Sequence, residues 1–361
     1  MQIKSVKDAD VAGKRVLLCV DFNVPLKEGR VADDMRIRAA LPTISLLRER
    51  GAKQIVILSH LGRPDGKVVE GLRMAPVEAR LREFVPNAPD IVVHENLRFD
   101  PREEANDLGF AKELASLGDL FVNDAFSDSH RAHASIVGIA ALLPSYAGLL
   151  MEEEIAKLSE ALAPAHPSLA IIGGAKFETK IPLLIKLVSM YDHVLLGGAL
   201  ASDMLKARGS AVGSSLVSGV PVPTVLAGDE RIEIPIDLTV LDSESNMSRN
   251  SQTNDVHAAE KTVDIGSATA ALWSKKIKQS QFVLWNGPVG IYEQDFGAGT
   301  DALAKAIAEF KGNAVIGGGD TDAALAKVAF DASQVFISTG GGAMLEFLEN
   351  GTLPGIEALR R

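Results

Sequence analysis

Short apolar runs alternate with longer segments of helical periodicity along the chain. The apolar runs are bounded by polar residues or glycine and predict strands at residues 15–20, 54–58, 91–94, 120–123, 169–172, 193–196, 232–234, 281–285, 314–316 and 334–338. Apolar residues spaced three and four apart predict helices between them, for example at 35–50, 103–116, 180–189, 300–310 and 321–329. This alternation predicts an α/β protein with mostly parallel sheets covered by helices on both faces.

The chain is too long for one ordinary hydrophobic core. Its 361 residues suit two domains of about 150–200 residues each. Residues 149–163 (LLMEEEIAKLSEALA) have helical spacing and end before Pro164, so we interpret them as an interdomain helix. The alternative is that they form the last helix of the first domain. We therefore expect an N-terminal domain at 1–150 and a second domain, with this helix, at 151–349. The polar segment 242–260 predicts a surface loop.

Composition excludes several classes of protein. The longest apolar runs fall far short of the ~20 residues that a membrane span needs, and the N-terminus lacks the apolar core of a secretion signal. Cys19 is the single cysteine, which excludes an internal disulfide and a zinc cluster and favours a reducing cytoplasm. The net charge of −10 argues against general nucleic-acid binding.

Basic residues are concentrated in the first part of the chain. Of the 18 arginines, 13 precede residue 141, and several of them follow predicted strands. Ligands of parallel sheets bind at the carboxyl ends of strands. Arg36, Arg63, Arg98 and Arg131 could therefore converge on a small dianion, because guanidinium groups match phosphate and carboxylate oxygens. His60 and His130 could add donors to that site. The alternative is that the four arginines are unrelated surface residues.

In the second half, strands are followed by glycine instead. Residues 317–319 are three glycines before Asp320, Thr321 and a helix pattern, a sequence that lets the backbone approach a phosphate. Asp320 or Thr321 could equally be only a helix N-cap. Lys176 and Lys180 follow another Gly-Gly pair and suit a polyphosphate, although both could simply be solvated. The sequence G-x-x-x-x-G-K-[ST] is absent, and no G-x-G-x-x-G opens the first βαβ unit.

Taken together, these segments resemble the phosphoglycerate kinase family over nearly the full length. The resemblance rests on VDFNVP (20–25), RIRAALPTI (36–44), SHLGRP (59–64), ENLRF (95–99), VNDAF (122–126), HRAH (130–133), IIGGAK (171–176), LWNGPVG (284–290), GGGDT (317–321) and STGGGA (338–343). It implies two Rossmann-like domains hinged across a cleft. The first would bind 3-phosphoglycerate or 1,3-bisphosphoglycerate, and the second MgADP or MgATP. The C-terminal tail, 350–361, would pack on the first domain.

The resemblance also implies site residues, a metal and a setting. The implied acid-substrate residues are Asp21, Asn23, Arg36, His60, Leu61, Gly62, Arg63, Arg98, His130 and Arg131. The implied nucleotide residues are Gly174, Lys176, Lys180, Asn286, Glu293, Gly318, Gly319, Asp320 and Thr321. Arg36 and Lys176 would face the phosphoryl group in transfer, Glu293 would hold the ribose, and Asp320 would bind Mg²⁺. The implied protein is a cytoplasmic monomer of glycolysis that binds neither nucleic acid nor membrane.

Some positions depart from the family pattern. Cys19 replaces a usual arginine, Ser127 and Asp128 replace a usual Gly-Thr pair, and Ala199 replaces a glycine. Between residues 84 and 91 the chain also lacks a strand and a helix that the family usually has. Asp128 adds negative charge near an anion site, which motivates an alternative: a catalytically impaired homologue that binds ligands or partners. A nicotinamide-dependent oxidoreductase is a second alternative, weakened by the missing glycine fingerprint.

Overall fold

The computed structural model describes residues 3–318 and 321–360, with the backbone alone at 322 and 323. Contacts divide the chain into two compact units, Met1–Ala156 with Asn350–Arg361, and Lys157–Glu349. The boundary between the units falls inside a helix, Leu149–Ala161, that lies where the sequence predicts an interdomain helix. Within the described part of the chain, every helix is too short or too polar to cross a lipid bilayer.

The first unit is built on a parallel sheet. Its strands are β1 Arg15–Cys19, β2 Leu26–Lys27, β3 Arg30–Val31, β4 Gln54–Leu58, β5 Ile91–Val93, β6 Leu120–Asn123 and β7 Ser145–Ala147. Its helices are α1 Met35–Glu49, α2 Ala75–Phe84, α3 Pro101–Glu104, α4 Leu108–Ala115 and α5 Leu149–Ala161, the last of which continues into the second unit. The order in the main sheet is β5-β4-β1-β6-β7, and β2 pairs with β3 in a separate hairpin.

Successive residues of β1 point to opposite faces of this sheet, and each face has its own core. Val16 and Leu18 pack in one hydrophobic cluster, whereas Leu17 and Cys19 pack in the other. Both faces are therefore covered, which is why the strands read as continuous apolar runs. The C-terminal helix also packs here, because the Gly355 N–H donates a 2.8 Å hydrogen bond to the carbonyl of Ser129.

The second unit repeats the architecture with one addition. Its strands are β8 Ser168–Ile172, β9 His193–Leu196, β10 Ile232–Glu233, β11 Asp237–Asp242, β12 Ser248–Gln252, β13 Glu260–Ile265, β14 Phe282–Asn286, β15 Asn313–Gly317 and β16 Val335–Ile337. Its helices are α6 Phe177–Met190, α7 Gly198–Ala207, α8 Thr224–Ala227, α9 Ser267–Gln279, α10 Ala298–Ala308, α11 Asp322–Leu325 and α12 Gly341–Asn350; α13 Pro354–Ala358 belongs to the first unit. A parallel sheet has the order β10-β9-β8-β14-β15-β16, and an antiparallel sheet has the order β12-β11-β13.

The α/β fold class is confirmed, and each strand predicted from an apolar run is present. The predicted loop at 242–260 is wrong, because it contains β12, which pairs with β11 along its length. This edge strand exposes most of its side chains and buries only Ser251, so it lacks the apolar pattern that marks a strand. The predicted helix 103–116 is two helices, because Asn106 adopts a left-handed φ of 50° and Asp107 caps the second one.

Candidate functional site

The carboxyl ends of three neighbouring strands bring polar side chains together in the first unit. β1 lies between β4 and β6, and Cys19 is in register with Leu58 on one side and Asn123 on the other. Asp21 follows β1 and His60 follows β4. Asp128 ends a 3₁₀ helix, Phe126–Asp128, that follows β6. The parallel register therefore places groups that are far apart in sequence at one edge of the sheet.

Asp21 and Asn23 organise one half of this edge. Arg36 Nη1, from the first turn of α1, donates to Asp21 Oδ2 at 2.5 Å and to the Asn23 carbonyl at 3.3 Å. The hydroxyl of Ser127 donates to the same carboxylate oxygen. Asn23 Oδ1 accepts a 2.8 Å hydrogen bond from the N–H of Gly62, whose φ of 65° lies in the left-handed region. The structure thus brings four of the sequence-predicted residues into one hydrogen-bonded group.

His60, Arg98 and Asp128 form the other half. His60 Nδ1 lies 3.2 Å from Asp128 Oδ2, and Arg98 Nη2 lies 3.5 Å from Asp128 Oδ1. Arg98 is only 4% exposed and donates from Nη1 to the Gly62 carbonyl at 3.2 Å. Its Nε and Nη2 atoms are buried and make no hydrogen bond to another described residue. A buried guanidinium with two donors that lack a hydrogen-bond partner can bind an anionic oxygen.

Burial and neighbouring charges together set the pKa values of the ionisable groups in this half. Burial acts to raise the pKa of Asp128, but His60 and the guanidinium of Arg98 hold it well below its usual range. Burial lowers the pKa of Arg98, and Asp128 opposes that effect. Behind them, burial raises the pKa of Glu103 to about 6, although Glu103 accepts hydrogen bonds from both the N–H and the hydroxyl of Ser135. Asp128 is therefore a buried, ionised carboxylate beside the buried arginine.

The other predicted residues of the first unit occupy varied positions. Arg131 Nε lies 3.1 Å from His130 Nε2. Arg63 is exposed and makes no ion pair or hydrogen bond with any described residue. The side chain of Leu61 is buried, and its backbone N–H and carbonyl both bond to the amide side chain of Asn96, at 3.2 and 2.8 Å. Asn96 therefore fixes the loop after β4, a role that the sequence did not predict.

Asp21, His60 and Asp128 also have donor atoms within 4.8 Å of one another, a spacing that could hold a metal ion. Their surroundings oppose this use. Arg36 already bonds to Asp21, and Arg98 lies beside Asp128, so a divalent cation would meet two positive charges. The arrangement suits an anion instead.

In the second unit, the equivalent strand ends present backbone rather than charge. A Cβ atom on Gly173, after β8, would lie 2.0 Å from the carbonyl oxygen of Pro288, after β14. A Cβ on Gly197, after β9, would lie 2.5 Å from the side chain of Val289. Gly174 has a φ of 111°, which other residues rarely adopt. Gly173 and Gly197 therefore allow the loops after β8, β9 and β14 to pack closely against one another.

The loops border a cavity of about 740 Å³ within the second unit. Of the residues predicted to bind a nucleotide, Gly174 and Glu293 line this cavity. The other residues that line it are Ala175, Gly198, Ala199, Ser202, Leu216, Thr262, Val263, Asp264, Pro288, Val289, Gly290, Ile291, Tyr292 and Gln294. Sequence reasoning missed Asp264, which lies near the end of the unpredicted strand β13. Burial raises the pKa of its carboxyl to about 6. The volume is that of a site for a drug-sized or nucleotide-sized ligand.

Lys180, Asn286 and Gly318 form a second polar group in this unit. Lys180 Nζ lies 3.4 Å from Asn286 Oδ1, and burial lowers the pKa of its ammonium to about 8. Asn286 Nδ2 donates to the Gly317 carbonyl at 2.9 Å and would lie 3.2 Å from a Cβ on Gly318. Lys176 is exposed and precedes α6. The hydroxyl of Thr321 is buried without a hydrogen bond to any described residue, and Gly319 and Asp320 lie outside the described residues.

Comparison with known proteins shows similarity over the full length of the chain. The sequence profile of the family described as "Phosphoglycerate kinase" matches residues 6–89 and 85–351. The phosphoglycerate kinase of Roseiflexus sp. (strain RS-1) is 44% identical over 393 aligned residues, covering 99% of both chains. That of Pelotomaculum thermopropionicum is 41% identical over 391. The solved phosphoglycerate kinase of Coxiella burnetii is 36% identical, with a TM-score of 0.87 and 99% of each chain covered.

Proposed function

Because the chain belongs to the phosphoglycerate kinase family, it is a phosphotransferase of glycolysis, and we propose that its two units divide the substrates between them. The reaction is reversible phosphoryl transfer between 1,3-bisphosphoglycerate and ADP, which gives 3-phosphoglycerate and ATP. Identity of 41–44% over the full length supports this enzyme rather than a catalytically impaired homologue. The same similarity leaves no support for a nicotinamide-dependent oxidoreductase.

We propose that the first unit binds the acid substrate at the charged edge of its sheet. The observation that carries this assignment is Arg98, buried with two N–H groups that make no hydrogen bond to a described residue. Phosphate or carboxylate oxygens of the substrate would satisfy those donors. Arg63 and Arg131 would add charge from more exposed positions, and the remaining residues are Asp21, Asn23, Arg36, His60, Leu61, Gly62 and His130.

We propose that the second unit binds the nucleotide with its glycine loops. The cavity would take the base and ribose, and Glu293, which lines it, would bind the ribose hydroxyls. Lys180 and Asn286, with the turn at Gly318, would meet the phosphates, because an ammonium and backbone N–H groups suit polyphosphate oxygens. Gly174, Lys176, Gly319 and Thr321 complete the proposed set.

A magnesium ion fits the chemistry of these donors. The buried hydroxyl of Thr321 lacks a hydrogen bond within the described residues, and the adjacent Asp320 supplies a carboxylate by sequence. Oxygen donors beside nucleotide phosphates are what Mg²⁺ prefers. We propose that Asp320 and the nucleotide phosphates hold the ion, which when bound would neutralise phosphate charge. Asp320→Asn should then weaken MgADP binding and leave 3-phosphoglycerate binding nearly unchanged.

The chemistry requires alignment and charge neutralisation but no catalytic base. The attacking group, a carboxylate or an ADP phosphate oxygen, is already ionised at neutral pH. We propose that Arg36 and Lys176 contact the oxygens of the phosphoryl group in transfer and stabilise its developing charge. Transfer requires the two ligands to meet in a site without water, so the reaction needs the two units to come together around them.

The test of this function is a coupled assay on the purified full-length chain. We expect ADP release from MgATP that depends on 3-phosphoglycerate, and the reverse reaction from 1,3-bisphosphoglycerate. A rate of ATP consumption that does not depend on 3-phosphoglycerate would contradict the proposed substrate. We further propose a cytoplasmic monomer without nucleic-acid or membrane partners, supported by the single cysteine and the charge of −10.

A further inference from the structure

Asp128 is an anion inside the proposed acid-substrate site, and the reaction gives it no role. It is 9% exposed, and its carboxylate contacts His60 Nδ1 at 3.2 Å and Arg98 Nη2 at 3.5 Å. The substrate is itself negatively charged and is expected to use the same two groups, His60 and Arg98. Like charges at this range repel, so Asp128 either has a compensating function or weakens binding without benefit.

Arg98 supplies the reason for a compensating function. A guanidinium that is 4% exposed needs a counter-ion, because an unpaired buried charge is costly. Three carboxylates lie near it. Glu104 Oε1 is 3.3 Å from Arg98 Nε, but the side chain of Glu104 is half exposed, which screens its charge. Glu103 is buried, but both of its carboxylate oxygens accept hydrogen bonds from Ser135. Asp128 is the buried carboxylate that forms an ion pair with the guanidinium.

The contact between Asp128 and Arg98 is electrostatic without being a hydrogen bond. Arg98 Nη2 and Nε remain without a hydrogen-bond acceptor in the described residues, even though Asp128 lies at 3.5 Å. The carboxylate therefore compensates the charge of Arg98 and leaves its N–H groups available. Substrate oxygens can bond to those N–H groups only by approaching the negative charge of Asp128.

We propose that Asp128 is a built-in counter-anion that stabilises the empty acid-substrate site and competes electrostatically with the anionic substrate. This inference rests on the proposed location of the acid site. It makes Asp128 a residue that sets substrate affinity rather than a catalytic residue. Arg131 and His60 also face Asp128, because both lie close enough to lower the pKa of its carboxyl. Asp21 is a further carboxylate near Asp128.

The proposal predicts that affinity and stability change in opposite directions. Asp128→Asn keeps the size of the side chain and removes its charge, so repulsion of the substrate is lost and so is the counter-ion of Arg98. We expect the Kd for 3-phosphoglycerate to fall about tenfold, the size of effect that one nearby charge produces at a partly screened site. We expect the melting temperature without ligand to fall by a few degrees, roughly the effect of losing one buried ion-pair partner.

The experiment uses the full-length chain, calorimetric titration with 3-phosphoglycerate and, separately, MgADP, and thermal unfolding with and without inorganic sulfate. Sulfate should raise the melting temperature of Asp128→Asn more than that of the wild type, because the anion replaces the lost carboxylate. Glu104→Gln is the matched control: it removes an exposed charge beside the same guanidinium and should change both quantities little. Titrations are run at low temperature, and Asp128→Thr provides a second uncharged variant.

Each outcome has a separate meaning. Tighter 3-phosphoglycerate binding with lower stability and an unchanged MgADP affinity supports the proposal. An unchanged or weaker 3-phosphoglycerate affinity in the folded variants would overturn it, because Asp128 would then orient His60 and Arg98 for binding. Equal effects of Glu104→Gln would also overturn it, since net charge alone would explain them. A wild type that binds MgADP but no 3-phosphoglycerate would contradict the proposed acid site itself.

Discussion

The carboxyl edges of the two parallel sheets, where we propose that the negatively charged ligands bind, differ in their chemistry. The first unit uses side-chain charge: Arg36 is paired with Asp21, and Arg98 lies beside Asp128. The second unit has glycine loops around a cavity, with Lys180 as a partly buried cation near Asn286. In the first unit, carboxylates compensate the positive charge of the arginines. In the second unit, the loops pack closely against one another.

This difference matches the ligands proposed for each unit. A small acid with a phosphate and a carboxylate offers little apolar surface, so charge and hydrogen bonds must supply most of its affinity. A nucleotide offers a base and a ribose, and a cavity bordered by backbone can bury them. Substitutions of charge should therefore affect the first unit most, and substitutions of shape the second.

The largest effect is expected from Arg36→Ala. Arg36 is the charged residue of the first unit that we place on the phosphoryl group in transfer, so its loss should act on the transition state. We expect kcat to fall by about 10²–10³-fold, with a smaller change in the KM for 3-phosphoglycerate. Arg63→Ala should show the reverse pattern. Steady-state kinetics of both variants, with circular dichroism to confirm folding, measures the difference.

Arg38→Ala is the matched control for this prediction. Arg38 lies on the same helix, α1, but pairs with Asp34 and stacks over the ring of Phe84. Its removal should leave turnover close to that of the wild type. An Arg36→Ala variant that raises only KM would mean that Arg36 binds the substrate in its ground state.

A smaller effect is expected from Gly173→Ala in the second unit. The added Cβ would lie 2.0 Å from the Pro288 carbonyl oxygen, so the loops after β8 and β14 must separate. Overpacking of this kind should lower the free energy of unfolding by about 1–3 kcal/mol. We also expect weaker MgADP binding with 3-phosphoglycerate binding preserved. Chemical denaturation and calorimetry measure both effects.

Gly219→Ala serves as the comparison for that change. A Cβ at Gly219 has no neighbouring atom within 4 Å, so the free energy of unfolding should stay within about 0.5 kcal/mol of the wild type. If Gly173→Ala behaves like Gly219→Ala, close packing of the glycine loops is not what shapes the proposed nucleotide site.

The smallest effect concerns the pH dependence of nucleotide binding. Burial lowers the pKa of Lys180 to about 8, so its ammonium loses its proton as the pH rises through 8. The proposed phosphate contact needs the protonated form. MgADP affinity should therefore fall roughly fivefold from pH 8 to pH 9, following the protonated fraction of Lys180. Lys180→Arg should flatten the profile, because a guanidinium stays charged there. An unchanged slope in Lys180→Arg would exclude Lys180 as the titrating group.

Much of the fold could be predicted because its main strands are buried on both faces. β1 and β14, for example, are nearly continuous apolar runs, a pattern that indicates a parallel strand buried on both faces. β12 could not be predicted, because an exposed edge strand carries polar residues and is held by its hydrogen bonds to β11. The break between α3 and α4 depends on one left-handed residue, Asn106, within an otherwise helical pattern.

The candidate site shows the same division. Strand-end position identified His60 and Arg98, and the family resemblance added Asp21; parallel register brings the ends of their strands to one edge. Pairing was harder to foresee: the sequence marked Asp128 as unusual, but only packing shows that it faces Arg98 and His60. Asp264 lines the cavity of the second unit from β13, a strand that lacked a sequence signal. The magnesium role of Asp320 stays a prediction, because that residue lies outside the described part of the chain.

The central claim is that two edges with different chemistry bind two different ligands, and hydrogen–deuterium exchange on the full-length chain tests it most directly. With 3-phosphoglycerate alone, we expect slower exchange in residues 20–25, 59–64 and 95–99. With MgADP alone, we expect slower exchange in residues 171–176, 284–294 and 317–321. Protection of the glycine loops by 3-phosphoglycerate, or of the 59–64 loop by MgADP alone, would contradict the division of substrates between the two units.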